Sequence, residues 1–148
     1  MYKTIVVGTD GSSTADSAVE HAIELASTHD ASLHVVCVDN SAQRATSVAA
    51  AAGVPMPWDA GLDEAAAEHT RSVLDRAASL AGARGVDAIV HPSNGSPAET
   101  LVATAVEVRA DLVVVGNRGM HGARRFLGSV PNHVAHHAPC AVLIVPTA

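Results

Sequence analysis

Four short runs of apolar, largely β-branched residues constrain this chain most: KTIVVGT (3–9), ASLHVVCVD (31–39), ADLVVVG (110–116) and CAVLIVP (140–146). Each is continuous rather than alternating, the pattern of a strand covered on both faces. GVDAIVHP (85–92) is a weaker fifth run. Helical patterns fill the gaps. Ala15, Ala18, Val19, Ala22, Ile23 and Ala26 repeat at helical spacing behind DGSST, whose serines suit an N-cap. Leu62, Ala66, Val73, Ala77 and Leu80 repeat in the same way across 60–83. Ser96-Pro97-Ala98-Glu99 combines a capping box with proline at the first helical position and opens a helix reaching about 109. Pro131 fits only a first turn, so a last helix runs from Ser129 to His137, ended by Ala138-Pro139.

The alternation of strand and helix predicts one α/β domain over residues 1–148, a parallel five-stranded sheet with helices on both faces. The chain has one each of Trp, Tyr and Phe, so Val, Ile, Leu and Ala must build the core. Residues 40–60 (NSAQRATSVAAAAGVPMPWDA) break the rhythm and read as a mobile loop with at most one helical turn. The net charge of −6 with a single lysine, Lys3, argues against nucleic acid as a partner. No run reaches the roughly 18 apolar residues of a membrane span, and no signal-peptide core precedes the first polar turn. A cytoplasmic protein is expected.

In open α/β sheets, ligands bind beyond the carboxyl ends of the strands, where the strand order reverses. Gly8-Thr9-Asp10-Gly11-Ser12, Val38-Asp39-Asn40 and the stretch from Gly116 to Ser129 fall at such ends. Glycines in the last stretch allow main-chain amides to approach phosphate oxygens, and a helix start adds unpaired donors. Gly128-Ser129-Val130 offers such amides, and Arg118, Arg124 and Arg125 can screen an anion. Asp10 suits a ribose hydroxyl, a base nitrogen or Mg²⁺. A plain turn with solvated arginines fits the same residues.

Over essentially its full length the chain resembles the universal stress proteins. The resemblance is carried by VVGTDGS, LHVVCVD, GSPAETLVATAVEVRADLVVVGNRG and GSVPNHVAHHAPCAVLIV. It implies a Rossmann-like sheet in the order 3-2-1-4-5. It also implies an ATP-binding motif: glycine, two residues, glycine, nine residues, then glycine and serine or threonine. Gly116, Gly119, Gly128 and Ser129 match, but the spacer from Met120 to Leu127 has eight residues. By the same resemblance Gly8, Thr9 and Asp10 take the adenosine side, and Cys37 or Val38 contacts adenine through the main chain. Gly116, Arg118, Gly119, Gly128, Ser129 and Val130 hold ribose and phosphates. ATP with Mg²⁺ near Asp10 is the implied ligand, and a sensor or adaptor the implied role. The shorter spacer leaves two alternatives, preference for cAMP or AMP and a partner-binding protein without nucleotide.

The implied order also places Cys140–Pro146 at a sheet edge, where pairing with a second copy gives a homodimer. Three strand spacings then separate Cys37 from Cys140, roughly 14 Å and too far for a disulfide. His133, His136, His137 and Cys140 have ligand-like spacing but read as exposed or capping groups near a helix end. No P-loop, G-x-S-x-G or H-E-x-x-H motif occurs, so no catalytic residue is assigned and at most slow ATP hydrolysis is expected.

Overall fold

The computed structural model describes residues 1–39, 49–53, 60–117 and 129–146. The elements run β1 (Thr4–Thr9), α1 (Ser13–His29), β2 (Ser32–Asp39), α2 (Ala60–Gly82), β3 (Ala88–Asn94), α3 (Pro97–Glu107), β4 (Leu112–Gly116), α4 (Ser129–His137) and β5 (Ala141–Val145). All five strands are parallel, in the order β3-β2-β1-β4-β5. The doubly covered sheet and the implied strand order are therefore both found. The reversal of order lies between β1 and β4, as the placement of the glycine turns requires. Of the 40–60 stretch, residues 49–52 form one helical turn and residue 60 opens α2, while 40–48 and 54–59 lie outside the described residues.

The continuous apolar runs follow from β1 being central. Ile5 and Val7 enter one core layer with Val35 and Val114, packed by Ala18, Ala22 and Ile23 of α1 and by Leu74 and Ala77 of α2. Val6 points the other way, to Val36, Val113 and Val115 beneath Leu101 and Ala105 of α3 and Val134 of α4. Alanines on the helix faces let the helices lie close to the β-branched strands. The first amides of β1 are held by Asp111, whose Oδ2 accepts from Lys3 N at 2.7 Å and Thr4 N at 3.0 Å. Those two hydrogen bonds hold its carboxyl below the usual carboxylate range.

Two boundaries depart from expectation. The fifth run begins at Ala88 and continues through Pro92 to Asn94 rather than stopping at the proline. β3 is an edge strand, where a residue without an amide hydrogen can face the open side. α3 stops at Glu107, two residues short of 109, because Arg109 turns left-handed at φ 52°. Arg109 N donates to Val106 O and Ala110 N to Ala105 O, a Schellman closure made without glycine.

His34 is 8% exposed, and its Nδ1 lies 2.8 Å from Nε2 of His91 on β3. The hydrogen bond needs one ring nitrogen to donate and the other to accept. Burial first, and then the neighbouring His91, lower the pKa of His34. A histidine with a lowered folded-state pKa leaves the unfolded chain binding more protons. Its contribution is complete above the unfolded value of about 6.5 and is lost as pH falls through the folded value. Urea unfolding at pH 7.5 and pH 5.5 should show the protein weaker at the lower pH. His34→Gln should reduce that difference; an undiminished difference would assign the pH dependence to other groups.

Candidate functional site

The carboxyl end of β1 leads into a turn organised by its own side chains. Thr9 Oγ1 accepts from Gly11 N at 3.1 Å, and Asp10 Oδ1 accepts from Ser12 N at 3.0 Å. Ser12 caps α1, its Oγ accepting from Ala15 N at 3.2 Å, and lies 3.0 Å from Thr14 Oγ1. Gly11 adopts φ +77°, a region L side chains enter with strain. Behind it stands α2: an added Cβ would lie 2.5 Å from Val73 Cγ2. Arg76 Nη2 ties the same helix to Asp16 of α1 at 2.6 Å and reaches Gly11 O at 3.4 Å. Helix α2 therefore supports the turn from the side away from the crevice.

On the crevice side is a cavity of about 310 Å³. Gly8, Thr9, Asp10 and Ser12 form one wall, with Thr14 and Ala15 of α1. Val36 and Val38 of β2, and Pro97 and Leu101 of α3, supply an apolar side. Val115 and Gly116 end β4 opposite, and Ser129, Val130 and Pro131 bring the first turn of α4 to the same space. The cavity thus combines an apolar slot, a carboxylate and hydroxyls, and the donor end of a nine-residue helix. That set of groups suits a flat, largely apolar base joined to a polar, anionic tail.

Seven of the residues singled out from sequence meet here: Gly8, Thr9, Asp10, Val38, Gly116, Ser129 and Val130. Cys37 is adjacent in sequence but not in the lining. Successive strand residues face opposite ways, and its thiol enters the core layer beneath α1 and α2. Burial there pushes the thiol pKa up, only partly offset by a hydrogen bond with Thr70. The role assigned to Cys37 was a main-chain one, in which the thiol takes no part. Arg118, Gly119 and Gly128 lie outside the described residues, as do Arg124 and Arg125. Cys37 and Cys140 are both free thiols.

Sequence reasoning missed Thr14, Ala15, Val36, Pro97, Leu101, Val115 and Pro131, and placed Ser12 in the strand-end turn without assigning it a contact. Val36 was accessible by strand alternation from Val38, and Ser12 from its capping position. Pro97 and Leu101 become neighbours of β1 only through the packing of α3. Gly8 has its own reason to be glycine: an added Cβ would lie 2.8 Å from Leu101 Cδ1.

Residues 1–146 match the model of the universal stress protein family. A universal stress protein of Mycobacterium tuberculosis is 36% identical over 159 residues, covering 99% of this chain and 97% of its own length. One from Methanocaldococcus jannaschii is 33% identical over 148 residues, covering 98% of this chain and 82% of its own. Among solved structures, a universal stress protein in complex with cAMP is 34% identical, with a TM-score of 0.73 and coverage of 99% of this chain and 98% of that one. With a match over nearly its whole length and the family's sheet order in place, this chain belongs to the universal stress protein family.

Proposed function

We propose that this protein is a non-catalytic receptor for adenine nucleotides that acts in stress responses as a sensor or adaptor. The observation that carries the reading is the cavity at the β1–β4 switch point, where the Asp10 turn faces the first turn of α4. Val36, Val38 and Leu101 suit the faces of a purine. Asp10 suits the hydroxyls of a ribose or the exocyclic amine of the base. The amides at the start of α4, with Ser129, suit a phosphate.

Resemblance to the family's ATP-binding motif, matched at Gly116, Gly119, Gly128 and Ser129, favours ATP, with Mg²⁺ near Asp10. A second reading, a single-phosphate nucleotide such as cAMP or AMP, draws on two observations. The spacer between Gly119 and Gly128 is one residue short of the ATP-binding pattern, and the solved relative at 34% identity is in complex with cAMP. We further propose a cytoplasmic homodimer joined along Cys140–Pro146, because β5 is an open edge of the sheet.

Isothermal titration with cAMP, AMP and ATP·Mg²⁺ tests the assignment. Saturable binding of at least one at high micromolar concentration or tighter is expected. cAMP or AMP binding at least tenfold tighter than ATP selects the second reading, and the reverse order selects the first. Absence of heat with all three overturns the proposal and leaves the partner-binding alternative.

A further inference from the structure

The Asp10 turn is tied to α2 by more than the packing of Val73. One nitrogen of Arg76, Nη2, lies 2.6 Å from Asp16 Oδ1 in the first turn of α1 and 3.4 Å from Gly11 O. Gly11 C=O and Ser12 N–H belong to one planar peptide unit, in which the two groups point in opposite directions. Arg76 holds the carbonyl of that unit on the α2 side, and its N–H donates to Asp10 Oδ1 at 3.0 Å. A cation at the carbonyl also polarises the peptide and strengthens the amide as a donor. Asp16, Arg76, the Gly11–Ser12 peptide and Asp10 thus form one chain of hydrogen bonds, from the outer surface to the cavity wall.

The outer link of that chain is badly placed to stabilise the fold. The side chains of Arg76 and Asp16 are 51% and 35% exposed, and ion pairs in such positions contribute little to stability. What the pair can do is fix an orientation. Gly11 has no side chain and sits at φ +77°, so the peptide that follows it rotates freely unless held from outside. We propose that Arg76 is a positioning residue for the cavity, an assignment that rests on the nucleotide reading of that cavity. By holding Gly11 O it keeps the Ser12 amide on Asp10, and so presents the carboxylate to a bound adenine nucleotide in one orientation. Without the guanidinium the turn spends part of its time with Asp10 turned away. Apparent affinity then falls in proportion to the fraction of molecules that remain competent.

Arg76→Met keeps the apolar stem of the side chain and removes its donors. Calorimetric titration of the full chain uses whichever of cAMP, AMP and ATP·Mg²⁺ binds the wild type tightest. Arg76→Met should weaken that binding by about three- to tenfold, the effect of one ordinary hydrogen bond. Its melting temperature should stay within about 4 °C of the wild type. In an Asp10→Ala background the same change should alter affinity less than twofold, because no carboxylate is left to orient. Equal losses in the two backgrounds mean that the arginine acts through the long-range attraction of its charge, and overturn the proposal. If Asp10→Ala binds too weakly to titrate, Asp10→Asn replaces it, and the loss should again be smaller than in the wild-type background. If Arg76→Met does not fold, Arg76→Gln carries the same test. Unchanged affinity in the arginine variant overturns this assignment alone; a wild type that binds none of the three nucleotides overturns the reading of the cavity and this assignment with it.

Discussion

Asp10→Ala is expected to weaken adenine-nucleotide binding by about 10- to 100-fold, the range given by losing one hydrogen bond to a charged group, about 1.5–3 kcal/mol. Two effects contribute. The carboxylate no longer faces the donors of the ligand, and Ser12 N loses its acceptor at 3.0 Å, so the turn relaxes. Asp10→Asn separates them, because the amide oxygen can still accept from Ser12 N while the charge is gone. Equal losses in the two variants assign the effect to charge; a loss confined to alanine assigns it to the shape of the turn. Calorimetric titration of the three proteins with the same nucleotide makes the distinction. Wild-type affinity in Asp10→Ala would show that the ligand does not use this end of the crevice.

Gly11→Ala is expected to give the largest loss of stability of any methyl-sized change in the described residues around the site. A left-handed residue with a Cβ is disfavoured by about 1–2 kcal/mol, and overpacking in a filled site adds about 1–3 kcal/mol. Both apply here, since φ is +77° and the new carbon would lie 2.5 Å from Val73 Cγ2. A combined loss of about 2–5 kcal/mol lowers the melting temperature of a domain this size by about 5–20 °C. Val73→Ala in the same chain should recover the steric part and leave the backbone part. A double-mutant cycle therefore shows positive coupling between positions 11 and 73. Additive losses would mean that the turn moves freely off α2, and that the helix does not support it.

Much of this architecture is legible in the sequence because local and tertiary preferences agree. Ser96-Pro97 opens α3, and Ser129 to His137 bound α4, since caps and prolines act over a few residues. Pro92 was misleading for the opposite reason. Whether a proline can lie inside a strand depends on that strand being at an edge, and strand order is not a local property. Arg109 was equally opaque, because its left-handed backbone is imposed by the closure onto Ala105 and Val106 rather than by its side chain.

The site divides along the same line. Asp10, Gly116 and Ser129 could be found because each ends or begins an element. Leu101 could not, because it reaches the cavity through packing between elements distant in sequence. The doubling of His34 with His91, 57 residues apart, was similarly hidden until β2 and β3 were paired.

The central place of β1 has a consequence for how the chain is made. Of the five strands, β1 is synthesised before the rest, and one of its two neighbours, β4, begins only at Leu112. At about 5–20 residues per second, the hundred or so residues between them occupy roughly 5–20 s of synthesis. Throughout that interval one side of β1 can pair only with something other than its final neighbour. The amides of Lys3 and Thr4 wait equally long for Asp111. Nascent chains stalled before residue 111 therefore lack both the strand and the carboxylate that complete this side of β1.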